Sequence, residues 1–69
     1  MRVFVNGAPR ELPDRTTVAA LVRDAGAGDP GARGVAVAVD AEVVPRSRWE
    51  ATVLSEGQHV EVLGAIQGG

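Results

Sequence analysis

The chain has 69 residues, nine Asp or Glu against seven basic residues, a net charge of −2, one histidine and no cysteine. A chain this short forms one small domain that buries only about 60% of its unfolded surface. The composition leaves no room for disulfides, a thiolate metal site or a His-based metal cluster, and the acidic balance argues against a general nucleic-acid binder. No apolar run approaches the length of a membrane span, and Met1-Arg2-Val3-Phe4-Val5 lacks a signal-peptide pattern, so a cytoplasmic location is expected. All seven basic residues are Arg. That bias is the ordinary mark of GC-rich coding.

Val3 and Val5 alternate with Arg2, Phe4 and Asn6, the period of a half-buried strand. Asn6-Gly7 signals a hairpin, since both residues tolerate positive φ. A returning strand is expected over about 8–12, with Pro9 and Pro13 marking a sheet edge. Thr16 or Thr17 then caps a helix whose apolar stripe is Val18, Leu21, Val22 and Ala25. Gly26 is expected to stop it, and 26–32 reads as a loop. Val35-Ala36-Val37-Ala38-Val39 is the clearest strand, with valines toward the helix and alanines on a flat, partly exposed face. Asp40-Ala41 turns the chain into a short strand, Glu42-Val43-Val44. Pro45 is expected at the first position of a helical turn that Trp49 closes and anchors. Val53 and Leu54 continue the core, and Glu56-Gly57 leads into the last strand. There Val60 and Val62 point inward, and His59, Glu61 and Leu63 outward.

A hairpin, a crossover helix and three further strands make an α+β fold. The expected arrangement is a β-grasp: a mixed sheet of about five strands with one main helix packed on one face. Residues 1–64 form this domain, and 65–69 form a tail, Ala65-Ile66-Gln67-Gly68-Gly69. Glycine lacks a Cβ, so a Gly-Gly end can enter a slot too narrow for other residues. Four extended residues reach about 13 Å. A frayed end is also commonly small and polar, so the glycines alone do not decide. The tail has too little side chain to offset the ordering cost of about 1–2 kcal/mol per residue, and mobility is expected there.

The chain resembles the ThiS family, the ubiquitin-like sulfur carriers of thiamine biosynthesis. The resemblance runs through Arg2-Val3-Phe4-Val5-Asn6-Gly7, Leu12-Pro13-Asp14 and Thr16-Thr17-Val18-Ala19-Ala20-Leu21. It continues in Val35–Val39, Glu42-Val43-Val44-Pro45-Arg46-Ser47-Arg48-Trp49, Gly57–Val62 and the tail. The piece Val44-Pro45-Arg46…Trp49 is the most specific to the thiamine branch. Asp40-Ala41 departs from the Asn-Gly usual in such proteins, which leaves the turn type open. The stretch 26–34 varies in the family, and nothing carries over there.

The resemblance implies a carrier and not an enzyme. The carboxylate of Gly69 would be adenylated by an E1-like adenylyltransferase. A sulfur donor such as a cysteine desulfurase would lead to a thiocarboxylate, and thiazole synthase would take up the sulfur. No cofactor belongs to the chain, because ATP is used by the partner. Neither nucleic acid nor membrane is an expected partner. Ile66, Gln67 and Gly68 would be the tail recognised by these enzymes. Phe4 beside Leu63 would make a small apolar partner patch, and Arg46 and Arg48 would add ion pairs, although exposed Arg is often only solvated. Trp49 reads first as a small satellite core beneath its turn. His59 and the carboxylates Asp14, Asp24, Glu50 and Glu56 have no partner that points to acid–base chemistry. The alternatives are a molybdopterin synthase small-subunit-like carrier, a tail-conjugated protein modifier, or a β-grasp binding module without carrier chemistry.

Overall fold

The computed structural model describes residues 1–24 and 34–64. In chain order they form β1 (Arg2–Val5), β2 (Ala8–Glu11), α1 (Val18–Asp24), β3 (Val35–Val39), β4 (Glu42–Val44), a 3₁₀ turn (Arg46–Arg48) and β5 (His59–Gly64). The five strands make one sheet in the order β2-β1-β5-β3-β4. β1 pairs antiparallel with β2 and parallel with β5, and β3 pairs antiparallel with both β4 and β5. This is the expected mixed sheet with one helix. Pro9 lies on β2, an edge strand opposite Phe4, where its missing N–H leaves no gap in the interior of the sheet.

The alternation of each strand decides its buried face. Val3, Val5, Val37, Val39, Val60 and Val62 join Val18, Ala19, Leu21 and Val22 of α1 in one apolar cluster, closed by Leu12, Trp49 and Leu54. Val37 is 1% exposed at the middle of this cluster. Val37→Ala is expected to destabilise the domain by about 1–3 kcal/mol, because the lost methyls leave space between sheet and helix. An unchanged melting temperature would show that the valine face is not where stability resides.

Seven residues are too few for an independent helix, so α1 depends on what meets its ends. Thr17 is the cap: its Oγ1 accepts from the Ala20 N–H at 3.1 Å, and its carbonyl accepts from Leu21 at 3.0 Å. The two remaining first-turn amides reach a distant segment. Val18 N–H donates to the Thr52 carbonyl at 2.9 Å and Ala19 N–H to the Trp49 carbonyl at 3.1 Å. Contact with that segment buries Ala19, which lies outside the predicted stripe. Thr16 turns the other way and donates to the Pro13 carbonyl at 2.6 Å. Ala25, the Gly26 stop and the loop 26–32 lie outside the described residues.

Three details differ from expectation. Pro45 is extended (φ −63°, ψ 147°) and stands before the 3₁₀ turn, its carbonyl accepting from Arg48 N–H at 2.8 Å. Val53 is 52% exposed, while Leu54 is buried. The residues there run extended, with Thr17 and Val53 bridged antiparallel, so neighbouring side chains alternate and Val53 faces out. Trp49 is far more than a satellite: it is 2% exposed within the main cluster, and its Nε1 donates to the Val44 carbonyl at 2.8 Å.

The β3–β4 turn keeps the geometry of an Asn-Gly hairpin without those residues. Asp40 has φ 51° and Ala41 φ 70°, the two positive angles a type I′ turn needs. Asp40 is tied down by its Oδ1, which accepts from the His59 N–H at 2.9 Å, and by its own N–H to the His59 carbonyl at 2.7 Å. Ala41 carries the steric penalty of a Cβ in the left-handed region, about 1–2 kcal/mol. Ala41→Gly relieves it but frees the unfolded chain, for an expected net gain of about 0.5–1 kcal/mol. Chemical denaturation will read this as a higher midpoint at unchanged slope; a lower midpoint would mean that the turn is not strained.

Candidate functional site

The site is organised by β5, the strand that leads to the Gly-Gly end. Its sequence alternates, which places Val60 and Val62 in the core and His59, Glu61 and Leu63 on the opposite face. β3 accompanies it from Val60, opposite Val39, to Gly64, opposite Val35. β1 accompanies only its start, with Phe4 opposite His59 and Val5 opposite Val60. Beyond that point the Asn6 side chain takes over. Its Oδ1 accepts from the Val62 N–H at 2.9 Å, and its Nδ2 donates to the Val62 carbonyl at 3.2 Å. Sequence reasoning read Asn6 only as a turn former, and no local pattern signals the second role.

The sheet face away from the helix carries small side chains. Ala36 lies opposite Leu63, and Ala38 lies between Glu61 and Val43. Leu63 is 64% exposed and Val43 72% exposed. With Ala36 and Ala38 they make a shallow apolar platform, bordered on β5 by Glu61. Val43 was missed as a surface residue. The two-residue Asp40-Ala41 turn was the available signal, since it fixes the register that puts Val43 beside Ala38.

The residues expected to form a partner surface do not all come together. Phe4 is half-buried and stacks on His59, with ring centroids 4.8 Å apart and planes 18° from parallel. Leu63 lies four positions further along β5 than His59, about 13 Å on, so Phe4 and Leu63 form no joint patch. Leu63 belongs instead to the alanine platform. Arg48 lines a cleft of about 370 Å³ with Asp40, Glu42, Thr52 and Gln58. Val39 and Val44 also line it, and both face the helix side of the sheet, so this cleft is separate from the platform. The Arg46 guanidinium carbon lies 5.5 Å from the centroid of the Trp49 ring. Ile66, Gln67, Gly68 and Gly69, and the expectation that they are mobile, lie outside the described residues. Among the described residues no set of three or more His, Cys, Asp or Glu is placed to hold a metal ion, and no helix is long and apolar enough to cross a membrane.

The model of the ThiS family matches residues 3–69, through both terminal glycines. The chain belongs to the ThiS family. A crystal structure of the thiamine biosynthesis protein ThiS from Geobacter metallireducens is 30% identical over the full length of both chains, with a TM-score of 0.79. A solution structure of a thiamine biosynthesis protein from the same organism is 28% identical, again with a TM-score of 0.79, over all of this chain and 88% of that one. No curated protein matches the chain. Within the ThiS family frame, the mixed five-stranded sheet and, among the described residues, one α-helix on one face of it are those expected for a β-grasp fold. The Asp40-Ala41 departure changes the residues of the turn and preserves its positive φ angles.

Proposed function

We propose that this chain is a sulfur carrier in the synthesis of the thiazole moiety of thiamine, with the carboxylate of Gly69 as the reacting group. The observation that carries the reading is the family match across residues 3–69, which includes the Gly68-Gly69 end beyond β5. The thiamine biosynthesis proteins it resembles support the thiamine branch over a molybdopterin one.

The chemistry follows from the end group. A carboxylate is a poor electrophile. An E1-like adenylyltransferase would transfer AMP from ATP to the Gly69 carboxylate, with release of pyrophosphate. Hydrosulfide would then attack the acyl carbon; sulfur from a donor such as a cysteine desulfurase would arrive as a persulfide, whose attack gives an acyl disulfide that a thiol reductant must cleave to leave the thiocarboxylate. With hydrosulfide the C–O bond to AMP breaks, a C–S bond forms and one proton is released. The product thiocarboxylate is an anion whose soft sulfur is the nucleophile that thiazole synthase would receive. Gly68 and Gly69 leave the acyl carbon without side-chain obstruction, while Ile66 and Gln67 give a partner something to grip. The Leu63, Val43 and alanine platform would be the docking face next to the root of the tail, with Glu61 calling for a basic group on the partner. The chain is then a co-substrate, and ATP belongs to its partner.

The test is intact mass after incubation with ATP, sulfide and the adenylating enzyme of a ThiS-type system. The expected product has one oxygen replaced by sulfur. A chain that stays unmodified, or that appears instead in isopeptide bonds to lysines, ends this reading. So does release of thiazole phosphate by the purified chain alone.

A further inference from the structure

We propose that Asn6 is a positioning residue that sets the point at which β5 releases the tail. The inference rests on the carrier reading above. Its observation is independent of that reading: a side-chain amide that continues a backbone ladder.

The β1–β5 ladder begins with backbone bonds, Phe4 N–H to the Gln58 carbonyl at 2.9 Å and Asn6 N–H to the Val60 carbonyl at 2.9 Å. The next groups of β5 on that side belong to Val62. By then the β1 backbone has left, because Asn6 (φ 52°) and Gly7 (φ 87°) turn it into β2. Val62 is 9% exposed, and without a partner its amide and carbonyl would sit unpaired at a partly buried edge. The Asn6 carboxamide supplies what the missing peptide would have supplied, one acceptor and one donor. Asn is also among the few non-glycine residues at ease with positive φ. One residue therefore makes the turn and replaces the lost rungs.

The consequence is geometric. β5 is held on both sides from His59 to Val62, and beyond Val62 only β3 accompanies it to Gly64. Loss of the clamp moves the last two-sided point back from Val62 to Val60, a shift of about 6.6 Å along the strand. Everything beyond then starts from a less defined root. A misplacement of 1 Å at a reacting atom can lower a rate about 100-fold. Leu63 stays paired with Ala36 of β3, and Val43, Ala36 and Ala38 lie on strands the clamp does not touch, so the docking platform is kept and the effect belongs in kcat and not in KM.

Asn6→Gly isolates the clamp, since Gly keeps the turn and deletes the amide. Asn6→Asp keeps the acceptor for Val62 N–H and loses the donor. Amide hydrogen exchange at Val62, referenced to Val37, is expected to speed up about 10-fold in Asn6→Gly, on the order of the loss of one hydrogen bond, and less in Asn6→Asp. Loading followed by intact mass is expected to show kcat lower by about 10-fold or more in Asn6→Gly at unchanged KM. Wild-type protection of Val62 in Asn6→Gly overturns the proposal. So does faster exchange with unchanged kcat, or a loss confined to KM. If Asn6→Gly does not fold, Asn6→Asp decides by the same two readouts. If the wild-type chain does not load at all, the carrier reading falls and exchange at Val62 alone judges the clamp.

Discussion

Gly69→Val abolishes sulfur loading and leaves the fold intact; this is the expected result with the largest functional effect. The fold half follows from where the core lies. The last residue of the apolar cluster is Val62, seven positions before Gly69, so the substitution touches no buried contact among the described residues. The loading half follows from the chemistry of the acyl carbon. Val places a branched Cβ beside the carboxylate that, in the carrier reading, would take AMP on its oxygen and then sulfur on its carbon, in a slot that the Gly-Gly end implies is narrow. Deletion of Gly69 is expected to have the same effect for a different reason: it withdraws the carboxylate by about 3.5 Å. Circular dichroism checks the fold, and intact mass checks the exchange of oxygen for sulfur. A Gly69→Val chain that loads at the wild-type rate would remove the main support for the carrier reading.

Trp49→Ala is expected to have the largest effect on stability, about 3–5 kcal/mol. A domain of this size has only about 3–10 kcal/mol in all, so the loss is roughly a third or more of its stability. Trp49 fills the cluster at 2% exposure, and its indole N–H holds the Val44 carbonyl. Its own carbonyl receives the Ala19 amide, so its displacement also unsettles the start of α1. Trp49→Phe separates these contributions. It keeps a ring in the cavity and leaves the Val44 carbonyl without its donor, a loss of about 1–3 kcal/mol. Urea denaturation distinguishes the three chains. Equal midpoints for Trp49→Ala and wild type would sink the claim that the Trp anchors the core.

The strands and the helix were legible because each has one buried face and one exposed face. In β3 the Val-Ala alternation reads directly as burial, and in β5 the same holds for Val60 and Val62 against Glu61 and Leu63. Thr17 was one of two possible caps, and only the meeting with Thr52 and Trp49 selects it over Thr16. Val53 and Leu54 are both apolar, so composition could not say which faces inward; the bridge between Val53 and Thr17 decides. Phe4 and Leu63 share a face, and alternation alone could not give their distance along it. That distance is a matter of parallel register between two strands far apart in sequence. The Asn6 clamp was illegible for the same reason: its partner is 56 residues away.

The central place of β5 has a consequence for how the chain folds. Its pairing of Phe4 with His59 joins the beginning of the domain to its end, and the order β2-β1-β5-β3-β4 leaves β1 and β3 without a shared neighbour until β5 arrives. Before then the two hairpins are separate ribbons, and a lone two-stranded ribbon is marginal in water. Closing a loop this long comes before the contacts that reward it, which places the step late and makes it slow relative to local structure. During synthesis, therefore, the sheet cannot close until the chain has been made almost to its Gly-Gly end. A shortened chain lacking β5 would have no closed sheet, so the first and last strands of the domain are committed to the fold in one event.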